Sequence, residues 1–128
     1  MSDADRLHYL RVALIIFGLL FIFGFYPLSF LWPSGWTWGT GHSHYLVMIM
    51  GIYATLGVFL LIASRNPNEH RSLIWFTVWS SIVHGTIMGI QSLNDAAERG
   101  HLLGDVPALF LIAIALGLLM LQTAKVSA

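Results

Sequence analysis

Apolar residues run almost unbroken through four stretches of the chain, about 7–31, 45–63, 73–93 and 106–123, and polar residues collect between them. About 20 helical residues rise ~30 Å, the thickness of a bilayer's hydrocarbon core, so each stretch is long enough to cross it. The pattern predicts an all-α fold, a bundle of four antiparallel transmembrane helices forming one integral membrane domain over residues 1–128.

Local signals set the boundaries. Trp32-Pro33-Ser34-Gly35 breaks the first stretch and leads into Trp36-Thr37-Trp38-Gly39, an aromatic loop whose rings suit the headgroup level. Arg65-Asn66-Pro67-Asn68 reads as a tight turn. At the fourth stretch, Asp105 is placed as an N-cap and Pro107 falls in the first turn, where its missing N–H costs little. Connections this short favour up-down-up-down topology.

Composition narrows the class further. With 57% hydrophobic and 9% charged residues, and a mean hydropathy of +0.76, the chain has too little polar surface to coat a water-soluble globule. Its net charge of zero gives nucleic acid no purchase; the partners implied are the lipid bilayer and, within it, other membrane subunits or further copies of this chain. The absence of cysteine removes disulfide exchange, thiolate metal sites and c-type haem attachment. The first stretch exceeds a signal-peptide core and lacks a small-residue cleavage site, so it is read as retained.

Cations give the orientation. Arg6, Arg11, Arg65, Arg71 and Lys125 gather at the two termini and the middle connection, against Arg99 alone in the others. The positive-inside rule then places both termini and the Arg65 to Arg71 turn of a multi-pass protein in the cytoplasm. Trp32 to Ser43 and Asn94 to Asp105 face outward.

Candidate chemistry lies where polar residues interrupt the apolar pattern. Thr77, Ser81, His84, Met88 and Gln91 recur along one stripe of the third span, next to a small-residue track of Ser81, Gly85 and Gly89 that suits close helix approach. His84, near mid-membrane, is the leading candidate, since an ionisable side chain there is costly without a partner or a purpose. An interhelical hydrogen bond would serve packing alone. A hairpin register about Pro67 sets Gly51 opposite His84, Met48 opposite Met88 and His44 opposite Gln91, framing a polar cleft open outward.

His42, His44, Asp95, Glu98, His101 and Asp105 surround its mouth. Imidazole and carboxylate are ordinary transition-metal ligands, and His42, His44, His101 and Asp105 form the candidate metal set. The i, i+2 spacing of His42 and His44 requires an extended or capping backbone, which Gly39-Thr40-Gly41 permits. A haem held by both His44 and His84 is disfavoured by a separation of on the order of 10 Å along the helices. A single-histidine haem at His84 and a Cu(I) site at Met48 and Met88 are further alternatives. No nucleophile motif singles out a reaction, so enzymatic activity stays undecided at this level.

The segments His84-Gly85-Thr86-Ile87-Met88-Gly89-Ile90-Gln91 and Gly100-His101-Leu102-Leu103-Gly104-Asp105-Val106-Pro107-Ala108-Leu109 resemble the second half of small bacterial four-span proteins of unknown function. In size and span layout the chain is also similar to DoxX-like membrane proteins, a group linked with quinone and redox partners. The resemblance implies no catalytic residue; it draws attention to His84, His101 and Asp105. Two functions follow as expectations. Either the outward cleft binds a metal, haem or quinone-like ligand through His84, Gln91, Met88, Met48 and Gly51, or the chain is a non-catalytic accessory or scaffold subunit of a larger membrane complex.

Overall fold

The computed structural model describes residues 1–39 and 43–124, and the regular elements among them are all helical. His42 and Lys125 lie outside the described residues. Helix α1 (Asp3–Leu19) opens with a reciprocal cap, in which the Asp5 N–H donates to the Ser2 hydroxyl and the Ser2 N–H donates to the Asp5 carboxylate, each at 3.1 Å. A π-helical turn (Leu20–Gly24) carries the chain into α2 (Phe25–Leu31), making one 29-residue span. Pro27 accounts for the widened turn, because its ring crowds the carbonyl of Phe23 four residues back and its nitrogen cannot donate.

After the break at Trp32 comes the short α3 (Pro33–Trp36), then α4 (His44–Arg65), whose first turn is capped by the Ser43 hydroxyl accepting from the Leu46 N–H at 3.0 Å. A 3₁₀ turn (Pro67–His70) leads to α5 (Arg71–Asn94), a second 3₁₀ segment (Ala96–Leu103) to α6 (Asp105–Ala124). Four of these helical runs are long and apolar enough to cross a membrane. Their outer faces carry exposed apolar side chains such as Phe23 and Leu31, 67% and 82% exposed, as lipid contact demands. The protein is a multi-pass membrane protein with a four-helix bundle.

The bundle is not packed evenly. Helix α5 lies along α6, and α1 lies along α4 and also contacts α6, whereas α4 and α5, although joined by a short turn, barely touch. Small residues decide this. The α1–α4 crossing brings Gly18 and Gly57 so close that a Cβ at Gly57 would meet the Gly18 carbonyl oxygen at 2.5 Å. Gly85 receives Phe110 and Gly89 faces Val106, so the small-residue track of α5 is spent on α6 of the same chain. Leu10, Leu14, Leu60, Ile74 and Leu116 fill the centre at 1% exposure or less.

Both termini lie at one end of the bundle. There the Arg6 guanidinium, buried, donates to the Gln122 carbonyl at 2.6 Å and meets Asp3 at 3.3 Å, placing a cation on the carbonyl end of α6. The opposite, distal end is closed by α3 and the second 3₁₀ segment.

The Gly18–Gly57 contact gives a first prediction. Gly57→Leu must force two backbones apart, so its melting temperature in mild detergent falls by the equivalent of about 1–3 kcal/mol; an unchanged melting temperature would contradict the close crossing.

A candidate ligand site at the distal end

Because α1 and α6 hold α4 and α5 apart, a cavity of about 270 Å³ remains between them at the distal end. Its walls are mainly aromatic and aliphatic, with Phe25, Trp36, Trp38, Tyr53, Met88 and Leu109 among them; His84, Gln91 and Asp105 supply polar atoms.

Tyr53 and His84 bridge the two poorly packed helices. The Tyr53 hydroxyl and His84 Nδ1 share a hydrogen bond, and the two rings lie nearly parallel with centroids 5.7 Å apart. A neutral imidazole that accepts from the phenol at Nδ1 carries its proton on Nε2, leaving that N–H as a donor. Tyr53 is fixed on its other side by edge-on contacts with Phe21 and Phe25, at 5.0 and 5.3 Å between centroids. Gly57, one turn along α4, sets the rotation that directs Tyr53 inward.

Asp105, the first residue of α6, forms the distal wall with His101. Asp105 thus begins the helix instead of preceding it as an N-cap; its carboxyl group accepts from Trp38 Nε1 at 3.0 Å and shares a hydrogen bond with His101 Nδ1 at 2.9 Å. His101 is fully buried beneath the Trp38 ring, which stacks on it at 3.9 Å with a 19° tilt. Its Nε2 lies 3.1 Å from both the Thr37 carbonyl and the Glu98 carboxylate. Every partner of this imidazole is an acceptor. A neutral ring has one N–H and serves one edge, so satisfying both edges takes a second proton, on the imidazole or on a carboxyl.

Close backbone approach makes this cap possible. A Cβ at Gly104 would sit 2.3 Å from the Gly35 oxygen, and one at Gly100 2.3 Å from the Ser34 oxygen. The Gly100-His101-Leu102-Leu103-Gly104-Asp105 segment is thus a seat for α3: two glycines admit its backbone while His101 and Asp105 hold the loop that follows. The Glu98 carboxylate adds a hydrogen bond from the Gly39 N–H at 3.1 Å.

One polar atom stands out on the cavity wall. Trp36 Nε1 is buried and has no hydrogen-bond partner among the described residues. Buried donors are nearly always paired, so the Trp36 indole N–H is an exception, and it is carried by a ring that lines the cavity. Ser92 Oγ is also without a partner, and it is not among the cavity-lining residues.

The structure brings His84, Met88, Gln91 and Asp105 together on one cavity, with His101 behind Asp105. It does not bring Met48 or Gly51 there. Met48 is 60% exposed on the outer surface of α4, and Gly51 faces a different hollow beside the first span. The hairpin register gives their depth but not the rotation of α4, which the Gly18–Gly57 contact turns so that Leu46, Ile49, Met50 and Tyr53 face α5. His44 opens α4 and is exposed, away from His101 in its buried seat.

Among the described residues, no three His, Asp or Glu side chains are grouped to hold a metal ion. Glu98 and Asp105 do flank His101, but on opposite edges of its ring, so they do not converge on a point. Trp36 and Trp38 line the cavity. Tyr53 carries no sequence signal beyond standing in an apolar run one turn before a glycine.

A family described as a family of unknown function (DUF6632) matches residues 4–127. No curated protein and no solved structure matches the chain.

Proposed function

We propose that this chain, which belongs to the DUF6632 family of unknown function, binds a planar, hydrogen-bond-accepting lipophilic molecule of the quinone class in its distal cavity. The observation that carries this reading is the aromatic-walled cavity together with the buried, unpaired Nε1–H of Trp36, whose ring is part of its lining. The Nε2–H of His84 supplies a second donor, and the Tyr53–His84 bond fixes its direction. Aromatic walls with two donors suit a flat ring bearing carbonyl oxygens. A cavity of about 270 Å³ lies at the small end of ligand pockets and favours a single-ring head over a haem.

The cation distribution supports both termini in the cytoplasm and the cavity facing outward, and the likeness to small bacterial four-span proteins makes the bacterial inner membrane the proposed location. The likeness in layout to DoxX-like proteins agrees with a quinone-class ligand. The single unit over 1–128 is part of the same reading. A scaffold role has less to draw on, because the small-residue track that would meet a partner helix is occupied by α6.

The test is calorimetric binding of a tailless methoxy-benzoquinone to the protein in lipid nanodiscs. Trp36→Phe removes one neutral hydrogen bond and is expected to weaken binding about threefold to tenfold. It should leave the ligand-free protein no less stable, since the lost donor had no partner. His84→Ala should weaken binding at least as much. Binding that ignores both substitutions, or no binding by the wild type, would sink this reading.

A further inference from the structure

Beside the first cavity lies a second hollow of about 310 Å³, between α4 and the π turn with α2. The two share Phe25, Leu46 and Met50 as a common wall, so three side chains, two of them flexible, separate them. The second hollow differs in character. Phe21, Ile22, Val47 and Ala54 line it, and its Ser29 hydroxyl is spent on the Tyr26 carbonyl of its own helix at 2.6 Å. From Leu46 to Ala54 it follows α4 for ~12 Å.

From this continuity we infer that the slot is the tail site of the same ligand: the molecule is bipartite, with a planar head between α4 and α5 and an unbranched or isoprenoid chain laid between α4 and the π turn. The inference rests on the proposed head site. Three features support a chain rather than a second ring. The slot is long and apolar, its Ser29 hydroxyl is already paired, and it runs from the head cavity along the lipid-facing side of the bundle. Gly51 and Ala54 keep it wide; a Cβ at Gly51 would meet nothing within 4 Å. The widened turn that Pro27 imposes on the first span forms the facing wall. Lipid tails are as apolar as the slot, so occupying it gains no hydrophobic free energy over the bilayer. The slot therefore governs where the tail lies more than how tightly the ligand binds, and the decisive test is positional.

A benzoquinone with a decyl tail ending in a diazirine, irradiated with the protein in nanodiscs and mapped by peptide mass spectrometry, reads that position. The expected result is labelling at Ile22, Val47 or Ala54 that excess tailless benzoquinone displaces. Gly51→Leu, which enters open space and leaves helix α4 intact, should cut that labelling by about tenfold. Displaceable labelling on α5 or α6 would overturn the tail site while leaving the head site standing, as would labelling of the slot unaffected by Gly51→Leu. Labelling that the tailless head fails to displace would overturn the head site, and the tail site with it.

Discussion

Gly104→Ala is expected to cost about 3 kcal/mol of stability, the upper part of the range for forcing an extra atom into a packed site. Its Cβ would lie 2.3 Å from the Gly35 oxygen and 2.7 Å from the Gly35 Cα, and neither is a side chain that can swing aside. Relief requires α3 to lift from the second 3₁₀ segment. Lifting α3 withdraws Trp36 from the cavity wall and separates the Thr37 carbonyl from His101. The substitution should therefore lower the melting temperature and shift tryptophan emission to the red, since two indoles move from packed surroundings towards water. A melting temperature within about 1 °C of wild type would contradict the backbone contact, because even 1 kcal/mol moves a domain of this size by several degrees.

His101→Ala should also be damaging, for a different reason. Removing one partner of a buried hydrogen-bonded pair costs about 1–3 kcal/mol for the polar group left unsatisfied, more where that group is charged. Here the partner left is Asp105, held at 7% exposure with the Trp38 indole as its remaining side-chain donor, and the Trp38 ring loses the surface on which it stacks. The double variant His101→Ala/Asp105→Ala separates this cause from simple loss of volume. It should recover part of the loss, because no carboxylate is then stranded; a double variant as unstable as the sum of the two singles would argue against the pairing.

The fold was legible in the chain because lipid imposes a simple rule. Long apolar runs become helices, since the backbone has no other way to satisfy its polar groups within the membrane. The polar stripe of α5 was legible for the same reason. Thr77 and Ser81 are buried at 0% and 2%, and Met88 at 6%, as its spacing required. What spacing along one helix could not convey is how a neighbouring helix is rotated. Two glycines, Gly18 and Gly57, settle that for α4, and neither looks different in sequence from Gly51, which meets nothing. Met48 accordingly shares the depth expected for Met88 but points to the outer surface of α4, and nothing local in the sequence marks Tyr53 as the residue that faces the cavity.

The distal cap was partly legible. His101 and Asp105 stand out in the sequence as members of one candidate metal set, and the geometry joins them by a hydrogen bond of 2.9 Å. Their third and fourth partners, Trp38 and Thr37, come from a loop more than sixty residues earlier. Nothing local announces a contact of that separation. The aromatic loop looked suited to the bilayer interface by composition, and its inward turn follows from the seat that Gly100 and Gly104 provide.

The claim that most needs testing is that Trp36 Nε1–H is a ligand donor. Indole ¹⁵N–¹H spectra of the tryptophan-labelled protein in nanodiscs report each of its five indole N–H groups separately, and Trp36→Phe assigns the signal in question. On titration with tailless benzoquinone, the Trp36 resonance alone should move markedly downfield and saturate, and His84→Ala should weaken the response. A Trp36 signal that stays still, or five signals drifting together without saturation, would mean that the ligand merely partitions into the bilayer and that the cavity is not its site.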